Sequence, residues 1–231
     1  MSLIVQQSPQ FATRDDVAGR EGITPPPQWH ESASNDLHAE LPILASTGLD
    51  PLIGDTLSRL HCLFQKPEGF DLTTTDFHDL TCFVLHRLLH DTTSPIDDTR
   101  LPASLESEVI RYAIVLYLLM VHGPTYFSHV RLQYTTTLKL KALLEQWILA
   151  PPSDRESLWI WVLSIGMAAS DGTPEYHYFT THAHKASTAL GISAWETALP
   201  HHKAVLWLEN LVTDRLFRRH WEAVWVLKPD I

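Results

Sequence analysis

Glu156–Ser170 reads ESLWIWVLSIGMAAS, and between Leu158 and Ala169 its one polar side chain is Ser164. A helix lying on a protein surface keeps a polar face. This stretch has none, so it predicts a helix enclosed by neighbours on all sides. Its roughly 12 apolar residues fall short of the roughly 20 that span a bilayer. The place for it is the middle of a helical domain. Pro151-Pro152 stop whatever precedes it, and Ser153-Asp154 are suited to cap its start.

A second stretch has the same character. Tyr112–Val121, YAIVLYLLMV, is apolar all round. Pro102 and Ser104 open that helix and Gly123-Pro124 end it. The expectation is two central buried helices, at about 102–121 and about 155–169, within a single array.

The remaining periodicity is helical as well. Asp50-Pro51 opens a helix carrying Leu52, Ile53, Leu57, Leu60 and Phe64, broken at Pro67-Glu68-Gly69. Phe77, Leu80, Thr81, Val84, Leu85 and Leu88 make one stripe between Thr74 and about His90. A helix from about Phe127 to Leu149 contains Thr135-Thr136-Thr137, poor helix formers that predict a local irregularity. After the turn Asp171-Gly172-Thr173-Pro174, Tyr176, Phe179, Ala183, Ala186, Ser187 and Leu190 form a stripe stopped by Gly191. Ser193 is placed to cap a short helix around Trp195. Pro200 reads as a kink or restart, and a last helix follows over about His201–Val226. No alternating strand pattern with hairpin turns occurs. The fold class is therefore all-α, with about seven to eight helices over residues 49–231. Residues 1–48 hold Pro25-Pro26-Pro27 and scattered polar residues. They read as a flexible N-terminal tail in which Trp29 and Ile43-Leu44 could dock.

Composition narrows the function. The chain has 231 residues, 45% of them hydrophobic, with Lys+Arg 17 against Asp+Glu 27 and a formal net charge of −10. Nucleic-acid binding draws on phosphate neutralisation by basic residues, so direct DNA binding is not expected. The two cysteines, Cys62 and Cys82, read as buried thiols, and two cannot build a disulfide framework. MSLIVQQSPQFATRDD at the N-terminus has no basic n-region, which argues against a signal peptide. The expected setting is intracellular, cytoplasm or nucleus, without a membrane partner. Nothing in the sequence sets an oligomeric state.

No catalytic motif emerges. Histidine is abundant, 14 in all. His86 and His90 have metal-binding spacing but fall opposite the apolar stripe of their helix. His182 and His184 lie about 200° apart on a helix, and His201-His202 straddle a predicted helix start. Asp97-Asp98 lacks the third carboxylate of the Asp-Asp-x-x-Asp magnesium motif of terpene synthases, since position 101 is Leu101. No metal and no cofactor is expected. Arg215, Arg218 and Arg219 read as a solvated helix face. Tyr112, Tyr117, Trp159, Trp161 and Met167 belong in or beside the core. The residues best suited to line a small-molecule pocket between helices are Tyr112, His122, Trp159, Tyr178 and His182.

One resemblance runs through the C-terminal half. Leu158-Trp159, Leu163, Ile165-Gly166, Phe179, Leu190-Gly191-Ile192-Ser193-Ala194-Trp195-Glu196, Leu206-Trp207 and Trp221-Glu222-x-Val224 occur in sequence order over about 150–226. This pattern resembles the fungal-specific transcription factor domain, the helical regulatory region of zinc binuclear-cluster regulators. The resemblance implies an all-α domain that senses or relays a signal, linked to fungal secondary metabolism. The zinc cluster itself needs a compact group of cysteines, and the chain has 2. The expected function is a stand-alone regulatory-type domain that binds a small hydrophobic metabolite or a protein partner. The alternative is a cofactor-free cyclase or isomerase, pericyclase-like, that holds a hydrophobic secondary metabolite in an apolar pocket between helices.

Overall fold

The computed structural model describes residues 24–33, 48–65, 72–90, 104–123, 129–147 and 155–226. Among them every regular element is a helix: α1 (Pro27–Ala33), α2 (Pro51–Phe64), α3 (Thr74–His90), α4 (Leu105–His122), α5 (Val130–Trp147), α6 (Glu156–Ala169), α7 (Glu175–Leu190), α8 (Trp195–Lys203) and α9 (Leu211–Val226). No helix among the described residues is long and apolar enough to cross a membrane.

The two all-apolar stretches occupy the middle. α6 packs against α4, α5, α7, α8 and α9, and α4 packs against α2, α3, α5 and α6. From Ala113 to Leu118 α4 has no exposed surface, and Leu163, Ile165 and Met167 of α6 are equally enclosed. Trp159 is half-buried and packs on the rim of this core. Close approach of α6 and α7 depends on Gly166. A Cβ there would fall on the ring of Phe179, which is itself fully buried.

Several helix ends follow the local chemistry. Asp50 caps α2 by accepting from the Leu52 N–H at 2.9 Å, with Pro51 at the first position. Thr73 and Asp76 cap α3 reciprocally. Ser104 caps α4 through the Ser107 N–H. Gly191, at φ 68°, ends α7 in the left-handed conformation that costs glycine nothing.

Other expectations need correction. The three threonines of α5 cause no break. Thr135 Oγ1 donates to the Arg131 carbonyl and Thr137 Oγ1 to that of Gln133, so these two hydroxyls are satisfied inside the helix. Arg155 occupies the cap position of α6 without a side-chain cap bond, and Ser153-Asp154 lie outside the described residues. Ser193 does not cap α8. The Thr197 hydroxyl does that work instead, accepting from the Ala194 N–H at 3.3 Å and donating to the Ala194 carbonyl at 2.7 Å. Pro200 sits inside α8. The last helix starts at Leu211, because Asn210 Oδ1 accepts from the Thr213 N–H at 2.7 Å and nucleates it there. Cys62 and Cys82 are half-buried rather than buried. Asp97-Asp98, Ile43-Leu44 and the side chain of His90 lie outside the described residues.

Within 1–48, α1 carries Trp29 onto α2 and α3. The indole is buried, meets the Phe83 ring edge-on at 5.1 Å, and lies under the guanidinium groups of Arg59 and Arg87 at 5.1 and 5.4 Å. Asp55 in turn accepts from both arginines at 2.9 Å. One aromatic side chain thus docks a helix too short to be stable by itself.

Two substitutions test this packing. Trp29→Ala is expected to cost about 3–5 kcal/mol in urea unfolding. Gly166→Ala is expected to cost about 1–3 kcal/mol despite its better helix propensity, and a Phe179→Leu background should recover part of that loss.

Candidate functional site

The middle of the bundle is filled by its own aromatic residues. Tyr117 of α4 stacks on Phe217 of α9 at 6.0 Å, and Trp161 of α6 lies 6.1 Å from Tyr117. Their polar tips are satisfied within the fold. The Leu208 N–H donates to the Tyr117 hydroxyl at 2.7 Å, and Trp161 Nε1 donates to the Leu206 carbonyl at 3.0 Å. Burial pushes the Tyr117 hydroxyl well above its ordinary pKa. The Trp161 N–H is thereby spent, and the Tyr117 oxygen is tied to the backbone.

Ser164 and His202 look at first like a nucleophile and its base, with Ser164 Oγ 3.1 Å from His202 Nε2. The hydrogen positions rule this out. Ser164 Oγ donates to the Ile160 carbonyl at 2.7 Å and accepts from Trp221 Nε1 at 2.9 Å. Its proton is committed, so His202 Nε2–H must be the donor between the pair. His202 Nδ1 is then the bare nitrogen, and it is buried without a partner. Trp195, Trp207 and Phe217 surround the ring at 5.4–5.6 Å. Burial, with the neighbouring His201, pushes His202 down to about 3. This is a neutral structural histidine, not a general base.

The five residues singled out in the sequence do not converge. His122 ends α4, stacked on Phe77 of α3 at 5.7 Å. Tyr112 lies under the Lys139 ammonium at 5.5 Å, and Trp159 meets Trp147 edge-on at 5.2 Å. Tyr178 and His182 do come together, with ring centroids 4.6 Å apart on one face of α7. Three of the four locations share one neighbour: Lys139, Lys141 and Trp147 all belong to α5. Periodicity identified the aromatic halves of these pairs. The α5 halves carry no motif, apart from the i, i+4 relation of Lys141 and Glu145 at 4.0 Å.

Tyr178 stands out among them. Its hydroxyl oxygen is buried and has no hydrogen-bond partner. Lys141 Nζ lies 5.3 Å from its ring centre, and Phe179 meets the ring edge-on at 5.2 Å. Burial and the Glu145 carboxylate push the hydroxyl up to about 12, so it remains a donor at neutral pH. Burial and the charge of Lys185 push His182 below its ordinary value, against an opposing pull from Glu145. The pair therefore presents one phenolic donor and one neutral imidazole on an aromatic surface.

The arginines of α9 are engaged in part. Arg218 pairs with Asp214 and Glu196, and Arg219 donates to Asp171 at 2.6 Å. Compared with family models, curated proteins and solved structures, the chain has no match.

The core histidine has a measurable consequence. Below about pH 6.5 the unfolded chain protonates His202 while the folded chain does not. Stability is therefore complete above that pH and falls as pH drops toward 3, by about 1 kcal/mol per pH unit for this group. His220, pushed down to about 4 by burial and Arg219, acts in the same direction. Urea midpoints measured from pH 7.5 to 5.0 should fall in the wild type and fall less steeply in His202→Leu.

Proposed function

We propose that this chain is a helical regulatory-type domain that binds a small hydrophobic molecule carrying a hydrogen-bond acceptor, and that the binding surface is the α5–α7 face around Tyr178. The observation that carries the proposal is the buried, unpartnered Tyr178 hydroxyl. A buried donor without an acceptor costs about 1–3 kcal/mol, and a bound carbonyl or hydroxyl oxygen would relieve that cost. The cation above the ring and the imidazole beside it suit a flat or unsaturated apolar body. The formal charge of −10 and the ion-paired Arg218 and Arg219 support a role without direct DNA contact. The all-α fold is compatible with the resemblance to the fungal-specific transcription factor domain, which supplies the proposed link to secondary metabolism. An apolar segment of a protein partner would use the same surface.

One observation favours the cyclase reading at the same place. Tyr178 remains protonated and His182 tends toward the neutral form, an acid and a base with ring centroids 4.6 Å apart. In that case the bound molecule is a substrate.

Tyr178→Phe separates these roles from plain packing. Without ligand it should stabilise the chain by about 1 kcal/mol, because an unsatisfied hydroxyl is removed. A thermal-shift screen of apolar alcohols, ketones and phenols should yield compounds that raise the wild-type Tm, with affinity about 3–10-fold weaker in the variant. Conversion of such a compound that is lost in His182→Gln while binding persists would establish catalysis.

A further inference from the structure

Another histidine pair lies at the opposite end of α4 from its Ser104 cap. His78, on the second turn of α3, places Nδ1 3.1 Å from Nε2 of His122, the last residue of α4. The two rings are tilted, with centroids 5.1 Å apart. His78 is exposed and His122 half-buried, so solvent reaches the pair.

From this geometry we infer that His78 Nδ1 and His122 Nε2 chelate a late first-row divalent cation of the copper, nickel or zinc class, with water completing its coordination. Two imidazole nitrogens each about 2.0–2.1 Å from a tetrahedral zinc stand roughly 3.3 Å apart. The observed separation needs only a few tenths of an ångström of opening to admit the ion.

The surroundings orient the His122 ring. Its Nε2 faces His78. Gly123 ends α4 with φ 75°, which favours glycine. Phe77 stacks on His122 with an interplanar angle of 25° and holds the ring direction.

On the other ring, His78 Nε2 lies 3.6 Å from Cys82 Sγ. Without metal, His78 Nδ1–H donates to His122 Nε2 and the thiol donates to His78 Nε2. On chelation the imidazole proton moves to Nε2, where the sulfur accepts it, and a neutral pair releases no net proton. Cys82 Sγ lies against the far nitrogen of the His78 ring and not against Nδ1, so it is not placed to be a ligand.

The site also lies at the C-terminal end of α4, where the helix dipole favours a cation. Among the described residues no group of three His, Cys, Asp or Glu side chains is arranged to hold a metal. A two-imidazole site of this kind is labile. Its selectivity follows ligand type: copper above nickel and zinc, and no uptake of magnesium. The bound ion would tie the start of α3 to the end of α4.

Calorimetric titration of the full chain with Cu2+, Ni2+, Zn2+ and Mg2+ tests this directly. One copper site is expected, at least tenfold weaker in His78→Gln and in His122→Gln, and within twofold of wild type in His177→Gln, which alters an exposed histidine on α7. Unchanged affinity in the first two variants, or an equal loss in the third, would overturn the assignment and leave adventitious histidine binding only. Substoichiometric Cu2+ added to the unsubstituted chain gives a readout independent of variant folding. Ring resonances of His78 and His122 should broaden before those of other histidines, and uniform broadening would count against the site.

Discussion

Val205–Leu208 is a non-helical segment in the middle of a helical protein, and its backbone polar groups must be satisfied without water. Val205, Leu206 and Trp207 are buried. Three helices each send one side chain to this segment. His61 Nδ1 of α2 bonds the Val205 carbonyl at 2.9 Å, Trp161 of α6 bonds the Leu206 carbonyl, and the hydroxyl of Tyr117 on α4 accepts from the Leu208 N–H. An unpaired buried peptide group costs about as much as a lost hydrogen bond. The contacts that remove that cost also fix the positions of the three helices relative to α8 and α9. Gln65, just past α2, adds a bond to the Lys203 carbonyl.

The same requirement separates core from periphery. In the centre, Trp161, Trp221 and Tyr117 pair their polar tips internally. At the margin, Trp195 and Trp225 do so with Asp214 and the Ile192 carbonyl. Among the described residues, Tyr178 is the tyrosine whose buried hydroxyl lacks an internal partner. Ligand recognition and internal satisfaction compete for the same hydrogen-bonding capacity. This is why the proposed binding surface lies on the outer α5–α7 face and not beside the central helices that first suggest a pocket. The Ser164–His202 contact makes the same point: proximity alone imitates a catalytic pair, and the direction of each hydrogen bond distinguishes the two cases.

Much of the architecture was legible in local patterns. Unbroken apolar runs marked α4 and α6 as enclosed, since a helix without a polar face has nowhere else to go. The caps at Asp50 and Ser104 and the glycine stop at 191 were readable because capping chemistry acts within a few residues. The last helix was misplaced because His201–Lys203 belongs to α8, while Val205–Leu208 takes its non-helical conformation from partners on α2, α4 and α6 that are distant in sequence. The threonines of α5 misled in the opposite sense, since propensity is a small effect once packing and back-bonded hydroxyls act.

By itself, then, the sequence determined an all-helical chain with two buried helices, a net acidic charge and a set of aromatic residues near the core. Each of these depends on short-range periodicity or on composition. Only the tertiary structure decided which of those aromatic residues are sealed by internal hydrogen bonds, that Lys141 of α5 lies over the Tyr178 ring, and that His78 and His122 touch across two helices. Those facts depend on how separate helices are rotated against one another. That rotation is set by the sum of many core contacts, with Gly166 against Phe179 among the tightest, and no local pattern encodes it.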